Sequence, residues 1–99
     1  MLAKRRQFTL PGNPEMHAVV NVIPTGLLTV EIEEEHRSID AEFEHIAFKV
    51  HDGMTDLVCY GDSGKTECWN LGLYNEDARE LARLIEYAEE ELEILLRDL

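Results

Sequence analysis

The chain reads as one α+β domain: an antiparallel sheet of about four to five strands with a single long C-terminal helix packed on one face. Three observations lead there. Ninety-nine residues suffice for one core only. Short β-branched runs between Pro, Gly and Asp turns occupy residues 17–71. From Asn75 onward there is neither Gly nor Pro, and apolar residues recur at helical spacing.

Residues 1–14 carry Lys4, Arg5 and Arg6 and close on Pro11-Gly12-Asn13-Pro14, a turn-forming run. They read as a basic, partly ordered N-terminal arm, with Phe8 and Leu10 as a short edge strand at most. The arm either solubilises the chain or docks on the body or on a partner. Residues 15–99 form the single acidic domain behind it.

The first core strand is 17–23, HAVVNVI. Pro24-Thr25-Gly26 then turns the chain into 27–33, LLTVEIE. There Leu28, Val30 and Ile32 share one face and Thr29, Glu31 and Glu33 the other, the period of a half-buried antiparallel strand. Glu33 to Ser38 is a polar loop. Residues 39–51 read as the next strand, but Phe43 has the opposite parity from Ile46, Phe48 and Val50. A bulge near His45, or burial on both faces, reconciles them. Asp52-Gly53 is a tight-turn dipeptide.

Residues 57–61 and 66–71 make two further strands. A two-residue Ser63-Gly64 turn between them sets Cys59 opposite Cys68. A three-residue loop with Gly64 left-handed sets Cys59 opposite Glu67. Both cysteines read as free and buried.

The helix runs from Asn75, a good N-cap followed by Glu76 and Asp77 that complement the helix dipole, to Leu99. Its stripe is Ala78, Leu81, Ile85, Ala88, Leu92, Leu95 and Leu99, a heptad repeat. At ~36 Å such a helix overhangs strands of ~20 Å. Leu92, Leu95, Leu96 and Leu99 at the overhang are therefore candidates for self-association, with Ile94 beside them.

Composition filters function. Twenty-one acidic residues against nine basic ones give a net charge of −12. That charge disfavours direct nucleic-acid binding and anionic membranes, and favours basic surfaces or cations as partners. No leader-like or spanning apolar run is present, and two cysteines are too few for a disulfide framework, so a cytoplasmic location is expected.

Short motifs carry little. Gly61-Asp62-Ser63-Gly64 copies the tetrapeptide around a serine-protease nucleophile, but Lys65-Thr66 follows and the chain is far too short for that fold. Gly64-Lys65-Thr66 copies the end of a P-loop, yet Cys59 stands where its first glycine belongs and a strand-like run follows. No cofactor and no dedicated metal site is indicated. Trp69, Tyr60 and His45 are the residues to inspect first for an enzyme.

The distinctive feature is two acidic tracts. The first holds Glu31, Glu33, Glu34, Glu35, Glu42 and Glu44. The second holds Glu86, Glu89, Glu90, Glu91 and Glu93. Together they suggest a non-enzymatic inhibitor that occludes a basic, nucleic-acid-handling surface of a partner protein. In size and charge alone the chain is similar to phage anti-defence proteins, anti-CRISPR proteins among them, and to nuclease immunity proteins. The alternative is a homodimeric structural or regulatory module joined through the C-terminal helix.

Overall fold

In the computed structural model, which describes residues 3–61 and 64–97, seven strands precede one helix. The strands are β1 (Lys4–Leu10), β2 (Met16–Ile23), β3 (Leu27–Ile32), β4 (Arg37–Glu42), β5 (Ile46–His51), β6 (Met54–Tyr60) and β7 (Glu67–Tyr74), and the helix is α1 (Asn75–Arg97). The class is α+β, as the sequence indicates.

The single sheet is corrected to two. One has the order β1-β2-β3-β4 and the other β5-β6-β7, both antiparallel. The parity change after Phe43 marks the division. Phe43–His45 forms one 3₁₀ turn, which ends pairing in the first sheet and delivers Ile46 to the second. A bulge would have kept one ladder; a full turn breaks it.

The basic segment also differs from expectation. Residues 4–10 pair with β2 along their whole length, from Lys4↔Val22 to Leu10↔Met16. Phe8 and Leu10 are buried in the core of this edge strand, as the sequence indicates, and the strand reaches back to Lys4. Arg6 shares their face, and its Nε donates to Glu80 of α1 at 3.3 Å.

One core joins everything. Ala18, Val20 and Val22 of β2 and Leu28, Val30 and Ile32 of β3 present one buried face, the expected alternation. Leu57, Leu71 and Leu73 of the second sheet meet them, and Ala78, Leu81, Ile85 and Ala88 of α1 pack into both. The helix therefore bridges two sheets instead of lying on one. Its start is fixed by Thr55, a buried hydroxyl whose Oγ1 donates to Asn75 Oδ1 at 2.8 Å.

Turn chemistry sets two connections that matter below. Asp52 and Gly53 both have positive φ, 43° and 78°, the two-residue turn that matches strand twist. Gly26 has φ 106° and its N–H donates to Ile23 at 3.0 Å, closing the β2–β3 turn. Its carbonyl then accepts the N–H of Phe43 at 2.9 Å, which ties that turn to the 3₁₀ turn. Among the described residues no helix is long and apolar enough to cross a membrane.

Candidate functional site

All eleven carboxylates of the two acidic tracts are exposed. The strand topology divides the first tract. β3 runs away from Gly26 and β4 returns, so Glu42 pairs with Leu27 at one end while Arg37 pairs with Ile32 at the other. The two ends lie roughly 17 Å apart at the rise of an antiparallel strand.

At the far end the charge is locally answered. Glu33–Glu35 forms a 3₁₀ turn. Glu34 Oε1 accepts the His17 backbone N–H, and Glu34 Oε2 lies on His17 Nδ1, both at 2.6 Å. Glu31 and Glu33 line a hollow that they share with His36 and Arg37.

At the near end the two tracts meet. The Gly26–Phe43 bond holds the β2–β3 turn beside the second 3₁₀ turn, and the C-terminal half of α1 crosses them. The result is an open groove of about 620 Å³. Its floor is Leu27, Phe43 and Leu92, and its rim is Glu42, Glu44 and Glu89, with Thr25 and Gly26 completing the lining. Among the described residues no basic side chain lines it. Gly26 is needed there: a side chain would be strained at its φ and would reach Leu92 at 4.0 Å.

On α1, Glu86 and Glu93 are spaced three and four residues from Glu89 and so extend the same acidic flank. Glu91 falls on the other side of the helix, beside Lys4 and Tyr87. Glu90 is exposed and lines neither hollow. Of the apolar candidates, Leu92 is half-buried in the groove, while Ile94 is 51% and Leu96 61% exposed. The Leu95 side chain and Leu99 lie outside the described residues, as does the Asp62-Ser63 part of the β6–β7 turn.

Glu42, Glu44 and His45 bring potential ligand atoms within 4.8 Å of one another. Two carboxylates and an imidazole suit a divalent ion in kind. Glu42 and Glu44 are exposed, however, so packing does not preorganise them. His45 and Tyr60 line a separate hollow. Tyr60 stacks under Lys49, whose Nζ is 5.2 Å from the ring centre. Trp69 donates its indole N–H to the Asp40 carbonyl at 3.2 Å, an anchor between the two sheets.

No family model, curated protein or solved structure matches this chain. The site therefore rests on its own geometry.

The His17–Glu34 pair was invisible in the sequence, since a lone histidine opening a strand signals no partner. The hydrogen bond to Glu34 raises the His17 pKa most; partial burial opposes it, and the charges of Glu34, Glu33 and Glu15 add to it. Glu34 is lowered, chiefly by the same bond. The His17 contribution is complete below 6.5 and is lost as pH rises through its raised value. That of Glu34 is present above 4.5 and is lost as pH falls through its lowered value. The link is thus strongest between those two figures. A proton NMR titration of His17 should give a midpoint above 6.5, returning toward it in Glu34→Gln; a wild-type midpoint at or below 6.5 would show that the pair does not form.

Proposed function

We propose that this is a non-enzymatic acidic binding protein, acting in the cytoplasm, that docks on a basic, nucleic-acid-handling surface of a partner protein and occludes it. One observation carries the reading: separate acidic tracts converge on a groove with an apolar floor and, among the described residues, no basic lining. Such a groove accepts a Lys or Arg side chain whole. The aliphatic stem packs on Phe43 and Leu92, and the charged head sits among Glu42, Glu44 and Glu89. The net charge of −12 adds a field that speeds encounter with a cationic surface.

The test is capture from a lysate at about 0.05 M and about 0.5 M salt, a range that spans strong and weak screening. The wild-type protein is set beside a variant reversed at Glu42, Glu44 and Glu89. Basic nucleic-acid-binding proteins should be retained by the wild type at low salt only and lost in the variant. Equal capture by the variant would refute the groove as the docking site.

A second reading, a homodimeric module, is favoured by the exposed Ile94 and Leu96 on the last turns of α1. Under it, Ile94→Glu with Leu96→Glu converts a dimer to a folded monomer in sedimentation equilibrium. A wild-type chain that is already monomeric at micromolar concentration removes this reading.

A further inference from the structure

Cys59 and Cys68 stand on the paired strands β6 and β7 and are free thiols, one buried and one exposed. The expectation that both are buried is thus corrected for Cys68. The register explains why. Pairing is regular through Val58↔Asn70 and Cys59↔Trp69, after which Tyr60 pairs with Glu67. Tyr60 opposite Glu67 is the pair that the two-residue Ser63-Gly64 alternative foresees, but Cys59 faces Trp69 and neither Cys68 nor Glu67, which corrects both alternatives at that position. Cys68 is the extra residue of a β-bulge, standing beside the Cys59–Tyr60 step.

In a regular strand Cys68 would face away from Cys59. The bulge brings it round. Gly61 lies two residues beyond Cys59 and so shares its face. A Cβ built on Gly61 would meet the Cys68 sulfur at 3.7 Å, which puts that sulfur on the Cys59 side of the hairpin. The absence of a side chain at Gly61 leaves the space open. Cys68 is the chain neighbour of Trp69, the residue directly opposite Cys59, so the two cysteines stand one position apart across the ladder. The Cys59 thiol is raised by burial first, and next by the charge and hydrogen bond of Cys68, as expected of neighbouring sulfurs.

The geometry points to Cys59 and Cys68 as a dithiol that closes to an intrachain disulfide in the presence of a disulfide oxidant such as oxidised glutathione. The exposed Cys68 thiolate attacks one sulfur of oxidised glutathione and expels a glutathione thiolate, leaving a mixed disulfide on Cys68. Cys59 gives its proton to solvent, attacks the Cys68 sulfur and expels the second glutathione thiolate. The protein loses two hydrogens and two electrons, and one oxidised glutathione becomes two reduced ones. Because the Cys59 thiol is raised, the second step accelerates with pH. The bond would staple the hairpin beside Trp69, the only tryptophan and the anchor to Asp40.

The experiment treats the folded full chain with oxidised glutathione and follows intact mass, free thiols and Trp69 emission. The expected product is a monomer that has lost two hydrogens and both thiols, with altered tryptophan emission and full reversal by a dithiol reductant. Cys59→Ser should stop at a single glutathione adduct, and Cys68→Ser should leave Cys59 unreacted. A wild-type chain that stops at the single adduct, that cross-links between chains, or that keeps both thiols overturns the proposal. The wild-type mass decides the question even if a serine variant does not fold.

Discussion

Leu81→Ala is expected to remove a large part of the domain's stability. Leu81 is 0% exposed in the second turn of the helix that bridges both sheets. Truncation loses the transfer energy of the removed atoms and leaves a cavity that β-sheet neighbours fill poorly, a cost of about 2–5 kcal/mol. Domains of this size hold roughly 5–15 kcal/mol in total. With a melting shift of about 4–8 °C per kcal/mol, the midpoint should fall by at least roughly 8 °C. Urea and thermal unfolding followed by circular dichroism measure it. Ile94→Ala, on the exposed overhang of the same helix, serves as the control and should change little. A Leu81 variant within ~1 kcal/mol of wild type would mean that the helix is not what joins the sheets.

The second large effect is on association. Reversing Glu42, Glu44 and Glu89 to Lys halves the −12 net charge and replaces the groove's rim with cations. If the partner is basic, its association rate at low salt should fall by about 10–1,000-fold, with most of the salt dependence gone. All three side chains are exposed, so the fold should survive. Reversal of Glu33, Glu34 and Glu35 makes the comparison informative, because it changes net charge equally at the far end of the sheet. It also breaks the His17–Glu34 link. Stopped-flow association should show the groove variant much the slower of the two. Equal slowing would mean that net charge steers binding and the groove does not.

What could be read in advance follows from the range of the forces involved. The helix stripe and the Asp52-Gly53 turn depend on residues a few positions apart, and both are present. The alternation of Leu28, Val30 and Ile32 likewise survives as one face of the core. The parity slip between Phe43 and Ile46 was legible as a fault. Its remedy was not, because a bulge and a 3₁₀ turn correct parity equally well and only tertiary packing chooses between them. β1 was obscured by its own charges: Lys4, Arg5 and Arg6 lower its apparent strand character, while Phe8 and Leu10 supply the burial that orders it. The candidate groove combines Glu42 and Glu44 with Glu89 across most of the chain. Each tract was visible, but their meeting depends on the Gly26–Phe43 hydrogen bond and on the angle of α1, which no local pattern encodes.

The contact between β1 and α1 has a kinetic meaning. Arg6 and Glu80 are 74 residues apart in the chain, and the same two elements share the core. During synthesis β1 emerges well before β7, which it contacts, and before the helix that shares its core, so the cover of its buried face is complete only once both have left the ribosome. Hairpins β2–β3 and β5–β6 can form as they appear, while the core must wait for the final element. Closing so long a loop is slow, and folding should be late and cooperative. A stalled chain lacking α1 would display Phe8, Leu10 and the valines of β2 to quality control.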